Sequence, residues 1–366
     1  MRYALITSLI VLSSLLSGCD LVTLNASGDI ARQQGDLIVV STVLMLLIVV
    51  PVMALTGWFA WHYRASNKRA TYTPDWHHST QLELVIWSAP LLIIIALGAV
   101  TWISTHTLDP FRKLDRLDAT RTMPADVKPL KVQVVALDWK WLFIYPDYGI
   151  ATVNELAAPI DVPIEFQLTS STVMNTFYVP TLAGMIYTMP AMETRLHAVI
   201  NKVGDYQGLS AHYSGAGSSD MRFRFKGMDG AAFDQWVAQV RETPAELNRD
   251  EYRKLERPSA KEAARHYGRV VEGLYDAALN LCVDKTKMCM RDMMAIDARG
   301  GLGLANVYNV ARLSHDAERR RGHDITPPDS YVTSLCTLPV DAYMSPVDPP
   351  SYGRVRLAPR IQTTLP

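Results

Sequence analysis

The residues from Ser210 to Met221 have the spacing of a metal-binding loop, although serines stand at most of the ligand positions. The segment reads Ser-Ala-His-Tyr-Ser-Gly-Ala-Gly-Ser-Ser-Asp-Met, and Val-Met-Asn-Thr-Phe-Tyr-Val-Pro lies upstream at residues 173–180. Cysteines at positions 210 and 214, with histidines at 175 and 218, would make a two-copper electron-transfer site, because thiolates and imidazoles suit copper. Only Met221 is a copper ligand of that kind.

Serine is nearly isosteric with cysteine, but its alkoxide is inaccessible at neutral pH, so it cannot replace a bridging thiolate. The sequence therefore predicts no copper pair in this loop. A single copper held by His212 and Met221 would need a further ligand, and His197 is a candidate only if the fold brings it close. The alternative to a vestigial site is an ordinary Ser/Gly turn.

Composition limits the class of protein. The chain has 366 residues, of which 49% are hydrophobic and 20% charged, and its formal net charge is zero. The absence of a basic excess argues against binding to nucleic acid. The apolar content suggests membrane segments.

The N-terminus has the pattern of a bacterial lipoprotein signal, predicted to span residues 1–18. An apolar run precedes Leu16-Ser17-Gly18-Cys19, and we expect Cys19 to be the lipidated first residue of the mature chain. The alternative is an ordinary signal peptide with an incidental cysteine. Asp20 follows the cysteine, as in many lipoproteins that stay in the inner membrane.

Two further segments are long enough to span a bilayer, which takes roughly 20 apolar residues. The predicted transmembrane helices cover residues 37–63 and 82–106, after a periplasmic segment at 19–36. The connecting loop, residues 64–81, has three basic residues and one acid, which favours a cytoplasmic location. We therefore expect the rest of the chain to lie in the periplasm.

The outer part begins with a linker arm at residues 107–129. Residues 130–228 predict a β-sandwich or small barrel, because short alternating segments are separated by turn residues. The predicted strands are 131–137, 140–145, 164–169, 194–200 and 221–226. A helical appendage follows at 229–296, with helices predicted at 231–241 and 263–281. The extension at 297–366 has weak periodicity.

Three cysteines remain besides Cys19, an odd number for an oxidising compartment. We predict a disulfide between Cys282 and Cys289, with Cys336 left as a free thiol. A metal role would need a motif other than Cys-x6-Cys. The methionines at positions 288, 290, 293 and 294 could handle copper, but such clusters more often pack or contact partners.

The sequence resembles subunit II of cytochrome bo-type ubiquinol oxidases, the haem-copper branch that lacks this copper site. The resemblance covers most of residues 19–245 and weakens beyond. It rests on the lipoprotein box, both spans, the loop, and the motifs Ala-Leu-Asp-Trp-Lys-Trp-Leu-Phe-Ile-Tyr-Pro, Gly-Ile-Ala-Thr-Val-Asn-Glu and Phe-Asp-Gln-Trp-Val at residues 136–146, 149–155 and 233–237. It implies a two-helix transmembrane hairpin followed by a periplasmic cupredoxin-like β-sandwich with a C-terminal helical appendage.

The resemblance also implies which residues occupy the former copper positions. Copper-containing relatives carry an upstream His, then Cys-x3-Cys-x3-His-x2-Met, with a backbone carbonyl between the cysteines. The carbonyl position falls at His212. The side-chain positions fall at Asn175, Ser210, Ser214, Ser218 and Met221. Trp139 and Trp141 match aromatics near the electron route of those relatives, and here we expect packing roles.

Glu83 is the second candidate site, at the cytoplasmic end of the second span. A carboxylate there is costly to bury and therefore a candidate for function. The alternative is a solvated acid that stabilises the helix N-terminus. The resemblance implies that the matching Glu stands at the entrance of a proton path.

The resemblance implies a non-redox second subunit of a proton-pumping quinol oxidase in the bacterial inner membrane. It implies no cofactor in this chain, haems and a copper in the large subunit I, further subunits III and IV, and ubiquinol as the substrate of the complex. Two alternatives stay open. One is a membrane-anchored, copper-free cupredoxin that acts as a binding or assembly module. The other is a cytochrome c oxidase subunit with an atypical metal site.

Overall fold

The computed structural model describes residues 22–298, except 72, 74 and 125, and the backbone of Val310, Ala311, Tyr331 and Val332. Cys19, Cys336 and most of the predicted extension therefore lie outside the described residues. The chain divides into two compact units, residues 1–284 and 285–366. In the second unit, Met290–Asp297 form a helix, and Val310–Ala311 pair with Tyr331–Val332 as short antiparallel strands.

Two long apolar helices come first, α1 at Asp29–His62 and α2 at Thr80–Thr107. Both are long and apolar enough to cross a membrane. Helix α1 begins before the predicted span and ends one residue short of it, whereas α2 extends past its predicted span at both ends. Ser79 begins α2 by accepting a hydrogen bond from the Leu82 amide at 3.4 Å. Most apolar side chains of the two helices are exposed in the isolated chain, as expected of surfaces that contact lipid or another subunit.

Ten strands form a two-layer sandwich, as the fold class predicted. The five predicted strands are present with ends shifted by at most two residues. The strands are β1 Leu130–Leu137, β2 Lys140–Tyr145, β3 Ile150–Val153, β4 Glu155–Pro159, β5 Pro163–Ser170, β6 Asn175–Tyr178, β7 Ile186–Thr188, β8 Thr194–Val199, β9 Gly204–Ser210 and β10 Arg222–Met228.

One sheet has the order β3-β2-β1-β5-β8 and the other β4-β10-β9-β6-β7. Most pairs are antiparallel, whereas β1 with β5 and β4 with β10 are parallel. Aromatic rings fill the space between the sheets, and Trp141, Phe177 and Phe223 contact one another edge-on or stacked. Trp141 is fully buried there, which confirms its predicted packing role.

The helix predicted at 231–241 is confirmed as α3, Gly230–Arg241. Asp229 caps it by accepting a hydrogen bond from the Ala232 amide at 2.8 Å. Its apolar face packs against β3 and β4, and the buried side chains recur at helical spacing. They are Phe233, Trp236, Val237 and Val240.

The helix predicted at 263–281 is wrong. Strand β12, Arg265–Tyr267, instead adds to the edge of β3, and β13, Arg269–Val270, pairs with β11, Glu246–Leu247. Within the predicted range only α5, Leu274–Leu279, is helical. It starts after Gly273, whose positive φ of 73° separates the helix from the preceding extended segment. An open sheet edge on β3 thus overrode a weak helical pattern. Helix α4, Arg249–Glu256, was not predicted.

The start of α1 is joined to the sandwich by backbone and side-chain contacts. The amides of Ser27 and Gly28 donate to the Thr181 carbonyl at 2.9 and 2.8 Å. Buried Asp29 accepts from the Arg116 guanidinium at 2.8 Å. Because these contacts lie at the first turn of α1, the N-terminal segment and the sandwich lie at the same end of the helix hairpin.

Candidate functional site

The former copper positions converge because three strand ends meet there. Asn175 opens β6, Ser210 ends β9, and Met221 immediately precedes β10. The Ser210 amide donates to the Met221 carbonyl at 3.0 Å, and the Ala211 amide donates to the Thr176 carbonyl at 3.2 Å. Ordinary backbone pairing therefore brings the sequence-predicted positions together without any metal.

Two of these side chains bind each other. The Ser210 hydroxyl lies 3.2 Å from Asn175 Oδ1 and donates to it. The Asn175 amide nitrogen in turn donates to the Val173 carbonyl at 3.2 Å. Asn175 is fully buried, so its polar atoms need such partners. The pair replaces a possible ligand set with a closed hydrogen-bond arrangement.

The other two serines serve the turn itself. The Ser218 hydroxyl donates to the Gly215 carbonyl at 2.7 Å and starts a single 3-10 turn over Ser218–Asp220. The Ser214 carbonyl accepts a hydrogen bond from Trp139, and the Ser214 hydroxyl is buried with no partner among the described residues. These serines act as turn residues, a role that serine performs well.

Trp139 packs over the loop and holds its shape. Its indole N–H donates to the Ser214 carbonyl at 3.2 Å, and a Cβ atom at Gly217 would lie 2.5 Å from Trp139 Cδ2. Trp139 itself has a φ of 67°, which is costly for a bulky residue. The contact with the loop offsets that cost. This confirms a packing role for Trp139.

Copper does not fit this set of side chains. Met221 is buried in the apolar core, and His212 meets the ring of Tyr187 edge-on at 6.1 Å. Three hydroxyls and one amide are hard, neutral donors, and copper sites that shuttle electrons use thiolates and imidazoles. His197 lies on β8 beside the start of the arm, where its amide donates to the Pro110 carbonyl. Within the described residues, no cluster of three His, Cys, Asp or Glu could hold a metal ion.

Glu83 lies in the first turn of α2, half exposed. Its Oε1 is 2.8 Å from His78 Nδ1, and the two side chains are 50% and 58% exposed. His78 also contacts the Thr80 hydroxyl at 3.2 Å through Nε2. The carboxylate is thus hydrogen-bonded to an imidazole.

A second carboxylate, Glu155, was not singled out from the sequence. It is 7% exposed at the start of β4, and four elements meet at it. Its Oε1 accepts from Trp236 Nε1 on α3 at 3.0 Å and lies 3.0 Å from His266 Nε2 on β12, while Oε2 is 2.8 Å from Lys226 Nζ on β10. Burial alone would raise the pKa of Glu155, but the hydrogen bonds from Lys226 and Trp236 lower it.

This cluster joins the appendage to the sandwich. A signal for it was present, because Glu155 stands in an otherwise apolar strand, Glu-Leu-Ala-Ala-Pro. Buried Lys140 makes a second joint: its ammonium donates to the Arg257 carbonyl at 2.8 Å and to the Ser259 hydroxyl at 2.6 Å. Cys282, in the same unit, is buried and disulfide-bonded, and its pairing with Cys289 stays a prediction.

The structure combines a hairpin of two membrane-length helices with a two-sheet sandwich and a loop that has few metal ligands. This is the architecture of a membrane-anchored subunit, and similar proteins identify its family. A family model described as the COX Aromatic Rich Motif matches residues 241–286. The cytochrome bo(3) ubiquinol oxidase subunit 2 of Pseudomonas putida is 46% identical over 296 residues, which are 81% of this chain and 90% of the relative.

A further relative and a solved structure are also similar to this chain. The ubiquinol oxidase subunit 2 of Acetobacter aceti is 45% identical over 72% of this chain and 83% of its own length. Among solved structures, the periplasmic domain of subunit II of the Bradyrhizobium japonicum cytochrome oxidase covers 32% of this chain and 94% of its own, with 21% identity and a TM-score of 0.30. The chain belongs to the family of subunit 2 of the ubiquinol oxidases.

Proposed function

We propose that the chain is the second subunit of an inner-membrane complex that oxidises ubiquinol, reduces oxygen to water and pumps protons. The haems and a copper would be held by the large subunit I, and subunits III and IV would complete the assembly. This chain would supply no redox centre. The observation that carries this proposal is the site formed by the loop at 210–221 and Asn175, where hydroxyls and an amide occupy four of the five side-chain ligand positions.

A membrane-soluble electron donor makes such a loop understandable. Ubiquinol reaches the oxidase within the bilayer, so no soluble cytochrome c has to dock on the outer face and deliver an electron to a copper relay. The loop can then lose its thiolates, provided that its packing survives. The contact between Trp139 and Gly217 supports that requirement, because it depends on no metal.

Glu83 is our proposed entrance for protons at the cytoplasmic end of α2. The pairing with His78 supports this role, since a half-exposed carboxylate and an imidazole at 2.8 Å can pass a proton between bulk water and a partner surface. A fully solvated capping acid would need no such neighbour. The adjoining partner surface would belong to the large subunit.

We also propose that Cys19 is lipidated and that the sandwich lies in the periplasm. The contacts of Ser27 and Gly28 with Thr181 support a common side for the N-terminal segment and the sandwich. The loop between the two helices, which carries Arg64, Lys68 and Arg69, would then be cytoplasmic. Mass spectrometry of the N-terminal peptide would detect the expected diacylglyceryl and acyl groups.

The deciding experiment compares two electron donors. The complex is purified through this subunit, and oxygen consumption is measured with ubiquinol and with reduced cytochrome c. We expect turnover with ubiquinol alone. Turnover with cytochrome c would favour an atypical cytochrome c oxidase, and purification without a haem-bearing partner would favour a stand-alone binding or assembly module.

A further inference from the structure

A cavity of about 250 Å³, lined by both charged and apolar residues, lies where the outer ends of both helices meet the sandwich. The start of α1 forms one wall, and the end of α2 with the first residues of the arm forms another. The third wall comes from the sandwich, through Gly184, Met185, Leu196 and His197. The cavity therefore shares no lining residue with the loop at 210–221 or with the Glu83 site.

Helix lengths place this cavity at the level of lipid headgroups. Helix α1 has 34 residues and is about 51 Å long, whereas the hydrocarbon core of a bilayer is about 30 Å thick. Its uncharged stretch begins only at Leu37, after Asp29 and Asp36. The first two turns, which line the cavity, thus extend beyond the hydrocarbon into the headgroup layer.

The lining contains charges of both signs in equal number. The cations are Arg112, Lys113 and Arg116, and the carboxylates are Asp29, Asp109 and Asp115. Burial lowers the pKa of His197, so its ring stays neutral at neutral pH.

Four of these charges are already used within the protein. Arg116 pairs with Asp29 at 2.8 Å, and Arg112 pairs with Asp115 at 2.6 Å. Lys113 and Asp109 form no ion pair among the residues that the structure describes, and one Asp109 oxygen accepts from the Phe111 amide. One ammonium and one carboxylate therefore remain available at the same cavity.

We propose that this cavity binds the headgroup of a zwitterionic phospholipid of the outer leaflet, with its phosphate at Lys113 and its ammonium at Asp109. A purely anionic group would meet Asp109 without a counter-charge, which disfavours free phosphate and phosphatidylglycerol. The cavity is smaller than the roughly 300–1,000 Å³ of sites for drug-sized molecules, which fits a small headgroup. The acyl chains would stay in the bilayer beside α1 and α2.

The test places a photoreactive residue in the cavity wall. Met185 is exposed and lines the cavity, so a benzoylphenylalanine at this position should capture whatever occupies it. The complex is reconstituted in vesicles of equal phosphatidylethanolamine and phosphatidylglycerol, illuminated, and analysed by mass spectrometry of the labelled peptide. We expect adducts with phosphatidylethanolamine in clear excess over its share of the vesicle.

Two charge variants are then made in the photoreactive chain. We expect K113A or D109N to lower the phosphatidylethanolamine adduct about threefold to fivefold, the range of an exposed ion pair. The matched control is K128A, because Lys128 is an exposed lysine whose partner, Asp147, lies away from the cavity. The control should leave the adduct unchanged.

Several results would overturn the proposal. Adducts in proportion to the vesicle composition, or loss of the adduct on adding inorganic phosphate, would mean that no zwitterionic headgroup is selected. Adducts with another protein chain would mean that a subunit covers the cavity. If the Met185 variant fails to assemble, Gln34 offers a second position in the same wall. Failure of this test would leave the choice between ubiquinol and cytochrome c untouched.

Discussion

Two glutamates, each paired with a histidine, differ in almost every other respect. Glu155 is 7% exposed and meets donors from Trp236, Lys226 and His266. Glu83 is 50% exposed, and among the described residues its carboxylate contacts only His78. The first joins the appendage to the sandwich, whereas the second is half exposed in the first turn of α2.

Burial decides whether such a carboxylate stabilises the fold or can transfer protons. A buried carboxylate with all its oxygens bound costs too much to protonate and move, so it stabilises one arrangement. An exposed carboxylate beside an imidazole can change its protonation state without disturbing the fold. Glu155 should therefore control stability, and Glu83 should control turnover.

The substitution E155Q should change the molecule most, by lowering its stability. Its amide cannot satisfy three donors, so we expect a loss of about 2 kcal/mol in the free energy of unfolding at neutral pH, with normal turnover below the unfolding transition. Denaturant unfolding of the full chain in detergent measures the loss, and E272Q is the control because Glu272 is exposed. An equal loss of stability in both variants would contradict the assignment.

The same carboxylate predicts a pH dependence. Because the folded-state pKa of Glu155 is lowered from 4.5, its contribution is complete above about pH 4.5 and is lost as the pH falls through the folded-state value. We expect the wild type to lose stability below pH 4.5 more steeply than E155Q. If the free energy of unfolding fell equally with pH in the wild type and in E155Q across that range, the result would argue against a charged Glu155.

The second effect is on turnover, from E83Q. A glutamine cannot carry a proton, so we expect ubiquinol oxidation to slow by about tenfold, a barrier change of about 1.4 kcal/mol. Unfolding should be unaffected, since the side chain is half exposed. Oxygen consumption and proton pumping by the reconstituted complex measure the effect. Unchanged oxidation and pumping would remove Glu83 from the proton path.

A smaller effect should follow from W236F, which removes the indole donor to Glu155 while keeping an aromatic ring. The lost hydrogen bond has a length of 3.0 Å, and we expect a cost of about 1 kcal/mol in the free energy of unfolding. W76F, at an exposed tryptophan of the helix connection, is the control. Equal unfolding midpoints for W236F and the wild type would show that the indole donor is dispensable.

The smallest effect should come from H78N. Loss of the imidazole leaves Glu83 in place, so we expect turnover to fall by about twofold to threefold with no change in unfolding, as for other exposed pairs. The neighbouring His77 contacts a backbone carbonyl instead of Glu83, so H77N is a matched control. If H77N lowered turnover more than H78N did, the proton-exchanging role proposed for His78 would be wrong.

Much of this architecture was predictable from the sequence. The two helices follow from uncharged stretches, and five strands follow from alternation. Helix α3 follows from the spacing of Phe233, Trp236 and Val240. Each of these signals is local, because a bilayer or a single core face selects the residues directly.

The features that the sequence did not predict share one physical cause, because each depends on contacts with residues far away in the chain. Residues 265–267 became a strand because the edge of β3 was open, although the local pattern favoured a helix. The role of Glu155 depends on donors from three other elements, between 71 and 111 positions away in the chain. The convergence of Asn175 with Ser210 was expected only through the family resemblance.

We propose that this chain holds no copper, because hydroxyls and an amide occupy four of the five side-chain ligand positions at the loop. The most direct test is the copper content of the purified complex, measured by elemental analysis and normalised to haem, together with the electron paramagnetic resonance spectrum. We predict only the copper of the large subunit and no signal from a mixed-valence copper pair. Additional copper that disappears on changing Met221 or His212 would contradict the account.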